Sequence, residues 1–294
     1  MRMAALAAIV AYVFWGTFGL YFKALDNIAA PEILAHRITW SLAFLSVIVF
    51  AKKLWHEVLT ILLNPKKLAI FIVSAILISI NWGIFIYSIV SGQALEGSMG
   101  YFIMPLVAVI LGGVFFGEKF STPQSIAILL ALSGVGYQVW VYGKLPWIAL
   151  TLATTFGFYG MLRKKAPADS VVGLFVETLL ITPFAVVYMA YLYTNGAFQF
   201  LNADLTEQAF LLIAGPITAI PLILFTFGAR KLRYSTVGLL QYINPTCQFL
   251  VAIFLFKEEF DVQNLITFGL IWAGLALYSQ NTLMQSRRNK ASHS

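Results

Sequence analysis

Three ionisable side chains stand inside apolar runs of this chain. His36 and Arg37 lie about five residues into the run 32–51, and Glu177 lies about six residues into the run 171–193. A charge at such depth costs roughly 2.5–3.5 kcal/mol on insertion scales, so each is a candidate functional group. An imidazole titrates near neutral pH and a buried carboxyl can carry a proton. Handling of a solute, with coupling to a proton or another ion, is the chemistry these types offer. The structural alternatives stand beside it: Arg37 snorkelling to headgroups or held in a fixed pair, and Glu177 held in a pair of its own.

Neutral polar and aromatic groups join them. Asn81 falls near the centre of the run 68–90, next to Trp82. It must find hydrogen bonds from protein or from cavity water, either as cavity lining or as a bond between helices. Trp15 is too deep in its run for an interfacial belt and suits a cavity wall or plain packing. Tyr101, Gln241, Tyr242, Asn244 and Gln248 cluster near Pro105 and Pro245. A proline inside a helix kinks it and frees the carbonyl four residues earlier. Those carbonyls belong to Tyr101 and Gln241, and freed carbonyls beside polar side chains suit a protein-lined cavity.

The elements that must position these groups are membrane helices. The chain is 60% hydrophobic and 11% charged, with mean hydropathy +0.85, where a soluble domain carries about a quarter charged residues. Ten spans follow from the hydropathy pattern: 4–24, 32–51, 68–90, 97–116, 122–141, 145–162, 171–193, 208–228, 235–256 and 262–282. Most reach the ~20 residues that cross ~30 Å of hydrocarbon. With the N-terminus inside, fifteen of the nineteen Lys and Arg residues fall in inner segments and only Lys23, Lys144 and Lys257 in outer ones. Net charge +7 therefore reflects topology rather than nucleic-acid binding, and both termini are expected in the cytoplasm.

This topology sets depths. The second span enters from outside and the seventh from inside, so His36/Arg37 and Glu177 lie roughly 8–9 Å below opposite surfaces. Two half-depth sites are expected, one at each mouth. Glu96 is then the candidate partner of Arg37, and Arg230 or Arg233 that of Glu177.

The chain also repeats itself. Pro105 and Pro245 lie 140 residues apart, as do Glu118 and Glu258, Phe120 and Phe260, and Gly134 and Gly274. Trp15-Gly16 faces Phe156-Gly157, and His36 faces Glu177, at 141. The expected fold class is an all-α membrane protein of ten transmembrane helices in two five-helix repeats, 1–142 and 143–283, followed by a basic cytoplasmic tail, 284–294. Five is odd, so the second repeat is inverted. Such repeats recur in secondary transporters, with the substrate site near the midplane between the halves.

Particular residues sharpen this. Ala11-Tyr12-Val13-Phe14-Trp15-Gly16, Glu32-Ile33-Leu34-Ala35-His36-Arg37-Ile38-Thr39-Trp40-Ser41, Asn81-Trp82, Gly100-Tyr101-Phe102-Ile103-Met104-Pro105 and Gln241-Tyr242-Ile243-Asn244-Pro245 span nearly the whole chain. Together they resemble the EamA-type drug/metabolite transporters, and within them the RarD-type, chloramphenicol-sensitivity proteins. The resemblance implies a permease of the bacterial inner membrane that moves a small organic molecule. Trp40, in the same run as His36 and Arg37, and Trp82 complete the candidate cavity set.

Other classes lack support. There is no Walker Gly-x-x-x-x-Gly-Lys-[Ser/Thr] run. Cys247 is the lone cysteine and the three histidines are scattered, so no metal or other cofactor is expected. A membrane-embedded enzyme or a channel is the alternative reading.

Overall fold

The computed structural model describes residues 2–91, 93–255 and 262–291, and every regular element among them is a helix. In chain order these are α1 (Arg2–Gly16), α2 (Phe18–Lys23), α3 (Ala30–Ala51), α4 (Trp55–Leu62), α5 (Pro65–Val90), α6 (Ala94–Phe116) and α7 (Thr122–Tyr142). Then follow α8 (Trp147–Lys165), α9 (Ser170–Thr194), α10 (Leu205–Leu212), α11 (Ala214–Lys231), α12 (Tyr234–Leu240), α13 (Ile243–Phe254) and α14 (Val262–Ala291). The motif 256–260, with Lys257 and Glu258, lies outside the described residues.

Local chemistry fixes the boundaries. Ser121 and Gln124 form a capping box at the start of α7, with Pro123 in its first turn. Asp169 caps α9 by accepting from the Val171 N–H at 3.0 Å. Asn64 Oδ1 accepts from the N–H groups of Lys66 and Lys67 at the start of α5. Each cap satisfies donors that the helix itself leaves unpaired.

Seven stretches among the described residues are long and apolar enough to cross a membrane: Arg2–Lys23, Ala30–Ala51, Pro65–Ser88, Glu96–Phe116, Thr122–Tyr142, Ser170–Thr194 and Leu205–Lys231. The stretches 145–162, 235–256 and 262–282 fold as α8, as α12 with α13 up to Phe254, and as α14. The expected spans differ from the helices in detail. A break at Ile213 divides 208–228 into α10 and α11. Pro216 therefore sits in a first turn, where a missing N–H costs little. The segment 52–67, expected on the inner side, holds α4, which buries Val58 and Ile61 and leaves Trp55 and Leu59 exposed. Helix α14 runs on into the stretch read as a tail.

Packing pairs the helices crosswise. Helix α1 lies on α11 and α13, while α8 lies on α5 and α6. Helix α3 contacts α9 and α11, while α9 contacts α3 and α5; α6 meets α12, and α7 meets α14. The last pair runs antiparallel. A Cβ on Gly134 would sit 3.0 Å from the Thr267 carbonyl oxygen, and one on Gly274 would sit 2.6 Å from that of Ala127. Only glycine permits this approach from both sides. The outer surface is apolar, with Val47, Phe50, Val114, Leu129, Phe184 and Val187 exposed, as a lipid-facing surface requires.

Candidate functional site

A cavity of about 390 Å³ opens where α1, α3, α5, α6, α8, α11 and the α12–α13 junction converge. Eight of the residues singled out in the sequence line it: Trp15, Arg37, Asn81, Trp82, Tyr101, Gln241, Asn244 and Gln248. His36, Trp40, Glu177 and Tyr242 lie outside its lining.

Arg37 is the one charged residue in the lining. Its Nε donates to Thr218 Oγ1 at 3.0 Å. The guanidinium carbon lies 5.7 Å from the Phe18 ring, 5.7 Å from Phe22 and 5.6 Å from Trp82, within cation–π range. The expected pairing with Glu96 is not formed. The Glu96 carboxylate instead accepts from Tyr142 Oη and from the Ile148 N–H, both at 2.7 Å, and so caps the start of α8.

His36, one residue before Arg37, faces elsewhere because successive helical residues are rotated by about 100°. Its Nδ1 accepts from Trp40 Nε1 at 3.1 Å, its ring stacks on Phe198, and the Phe200 ring lies tilted against it at 5.0 Å. The His36/Trp40 pair thus packs against the connection after α9 rather than the cavity.

Glu177 is 1% exposed and points toward α8 and α5. It accepts from Ser74 Oγ at 2.5 Å and Tyr159 Oη at 3.2 Å, and pairs with Arg163 Nε at 3.5 Å. Arg230 and Arg233, the partners expected from topology, are engaged otherwise. Arg230 donates to the Ala166 carbonyl and Arg233 to that of Lys119. Arg163 looks like one charge of a cytoplasmic run, yet it is fully buried. Gly173 makes room for it, since a Cβ there would fall on its guanidinium.

The remaining polar groups show how the helices are joined. Asn81 Nδ2 donates to the Leu152 carbonyl at 2.8 Å and to Thr155 Oγ1 at 3.0 Å, so it both lines the cavity and ties α5 to α8. Gln248 Nε2 donates to Asn244 Oδ1 at 3.0 Å, and Gln241 Nε2 reaches Met104 Sδ. The two prolines part company. Pro105 lies inside an unbroken α6, whereas Pro245 occupies the first turn of α13, after a break at Gln241–Tyr242. The kink expected at Pro245 is therefore a joint placed ahead of it. The Gln241 carbonyl is taken by the Asn244 N–H at 3.0 Å, and Tyr242 is buried in the joint.

Among the described residues, the cavity reaches the helix ends of one side. Its lining runs from Trp15 to Phe22, Ser88, Ser98 and Val251. On the other side, Tyr12, Tyr159 and Tyr234 form a buried layer. Tyr12 Oη donates to the Val237 carbonyl at 2.9 Å and Tyr234 Oη to that of Gly157 at 2.5 Å. Beyond the layer, the Glu118 carboxylate accepts from the N–H groups of Tyr234 at 2.5 Å and Ser235 at 3.0 Å, and from Ser235 Oγ. Arg233 Nε stands 3.7 Å from the same carboxylate. This latch fastens the end of α6 to the start of α12.

Sequence reasoning passed over Phe18, Phe22, Phe156 and Thr218 in the lining. Phe156 carried a signal, since it aligns with Trp15 at the repeat offset; the two rings meet edge to face at 5.9 Å. Thr218 carried none beyond being a hydroxyl in an apolar run.

Residues 2–138 match the EamA-like transporter family. The chain is 41% identical over 278 residues to an uncharacterized transporter of Vibrio cholerae, covering 95% of this chain and 92% of that one. It is 38% identical over 287 residues to the protein RarD of Escherichia coli, covering 98% and 97%. Similarity to the uncharacterized transporter YojE of Bacillus subtilis is 39% over 287 residues, covering 96% and 95%. A crystal structure 15% identical in sequence superposes with a TM-score of 0.70 over 94% of this chain and 97% of the other, a likeness of fold.

Proposed function

Because this chain belongs to the RarD-like branch of the EamA-type transporters, we propose that it is a secondary transporter, a permease or exporter that moves a small organic solute across the bacterial inner membrane by alternating access. That it is a multi-pass membrane transporter follows from the family and the apolar helices. Relatives from Vibrio cholerae and Pseudomonas aeruginosa are named as uncharacterized transporters.

The observation that carries the mechanism is the one-sided cavity. Both sequence halves build it, it reaches one set of helix ends, and the opposite side is shut by the tyrosine layer and the Glu118 latch. A cavity open to one side is one of the two end states that alternating access requires.

The proposed architecture is ten transmembrane helices as inverted repeats, 1–142 and 143–283, with cytoplasmic termini. Three features support it. The helix pairings interchange when the halves are swapped: α1 on α11 answers α8 on α5, and α3 on α11 answers α9 on α5. Gly134 and Gly274 make reciprocal contacts with Thr267 and Ala127, at one offset. The matched helices α7 and α14 run antiparallel. In this orientation the open side is the outer one and the latch is cytoplasmic.

The test is reconstitution. Purified protein in proteoliposomes should exchange a labelled solute, and a cysteine at Ser98 should react with an impermeant maleimide from outside whole cells. A steady ion current without saturable exchange would favour a channel. Turnover without movement would favour an enzyme.

A further inference from the structure

We infer that the cavity recognises an organic monocarboxylate with an aromatic or extended apolar body, and that Arg37 is the residue that binds its carboxylate. The inference rests on the transporter reading and names the substrate class of the same cavity.

The starting point is a cation without a counter-charge. Arg37 lies seven residues inside α3, about 10 Å along the helix, and turns toward the cavity rather than toward headgroups. Among the described residues it makes no ion pair. Among the described residues, the acids that topology could have supplied are committed elsewhere. Glu96 is bound to Tyr142 and the Ile148 N–H, and Glu32 to the N–H groups of Gln199 and Phe200 at 3.0 and 2.9 Å. Glu177 is held by Arg163. Asp26 is exposed in a groove that Arg37 also borders, and makes no ion pair with it.

What Arg37 does have leaves its working end unused. Thr218 takes only Nε. The two terminal nitrogens have no hydrogen-bond partner among the described residues, and neither is sealed from the cavity. Phe18, Phe22 and Trp82 surround the guanidinium with π faces. They hold it in place and lower the local dielectric without neutralising its charge. A planar fork with two free nitrogens matches the two oxygens of a carboxylate, and the pair is stronger for being shielded from water.

The rest of the lining limits the ligand further. With a single cation and no acid among the described residues of the wall, a monoanion is matched, while a phosphate dianion or an amine is left with unbalanced charge. Trp15, Phe85 and Phe156 form apolar walls beside the cation, suited to a ring or chain. A volume of about 390 Å³ suits one small molecule.

A matched trio of solutes tests this: 3-phenylpropionate, 3-phenylpropanamide and 3-phenylpropylamine. They share a body and differ in charge. Each is titrated into the purified full chain while the thermal unfolding midpoint is followed. The acid should raise the midpoint in a saturable way, and the amide and amine should not. Arg37→Gln should weaken acid binding at least about thirtyfold. Arg37→Lys, which keeps the charge but not the fork, should weaken it about tenfold and guards against a Gln variant that fails to fold. Equal binding of the amide or amine, no response to the acid, or an undiminished response in the folded variants would each overturn the inference. Proteoliposome exchange of the same trio separates the two readings. Exchange of the amide or amine in preference to the acid leaves a transporter and removes the anion site.

Discussion

Arg163 and Glu177 form an ion pair, 3.5 Å apart, in which both side chains are almost wholly buried. Breaking a buried pair from one side strands a charge, at a cost of about 3–5 kcal/mol. Arg163→Met and Glu177→Leu should each lose that much stability, and the double variant should recover most of it. Gly173→Ala should resemble the first single variant, because the added methyl displaces the guanidinium. Thermal unfolding in detergent measures all four. Additive losses would contradict the pairing.

Proton coupling through Glu177 is a separate question. The carboxyl lies outside the cavity lining and is tied to Arg163, Ser74 and Tyr159. The double variant Arg163→Met with Glu177→Gln should therefore keep the wild-type pH profile of solute exchange. A flattened profile would make Glu177 the proton carrier.

The Glu118 latch should be visible in backbone exchange. Glu118→Ala removes the acceptor of the Tyr234 and Ser235 N–H groups. Hydrogen exchange at those amides should accelerate at least about tenfold, as expected for loss of a charge-assisted bond. Unchanged protection would mean that α12 is held by other contacts.

Asn81 has a double role, so its variant should show two effects. Asn81→Ala should cost about 1–2 kcal/mol by removing its bonds to the Leu152 carbonyl and Thr155 Oγ1, and should also slow exchange. Trp15→Ala opens the wall beside Phe156 and should slow exchange more than Trp15→Phe does. Normal rates in both would exclude these residues from the transport path.

Much of this site was legible because the membrane makes polar residues conspicuous. Arg37, Asn81 and the Gln241–Gln248 cluster interrupt apolar runs, and each borders the cavity. What could not be read was helical phase. His36 and Arg37 are equally polar neighbours, but one turns to Phe198 and the other to Trp82. Arg163 carried no signal of burial. It belongs to a run of three basic residues, and its burial depends on Gly173 and Glu177, distant in pattern though close in space. The break at Gln241–Tyr242 was mistaken for a kink at Pro245 because proline signals a disturbance without fixing which residue absorbs it.

That break sets the two halves apart mechanically. Helix α6 runs unbroken from Ala94 to Phe116, next to the Glu118 latch. Its counterpart is articulated. In the proposed cycle, the break at Gln241–Tyr242 would let α13 swing over the cavity mouth while α12 stays fastened to Glu118. Near-copies in sequence thus become a crank and a hinge. In the proposed alternating-access cycle, such a hinge would offer a route to a state shut at both ends, with a solute held before the far side lets go.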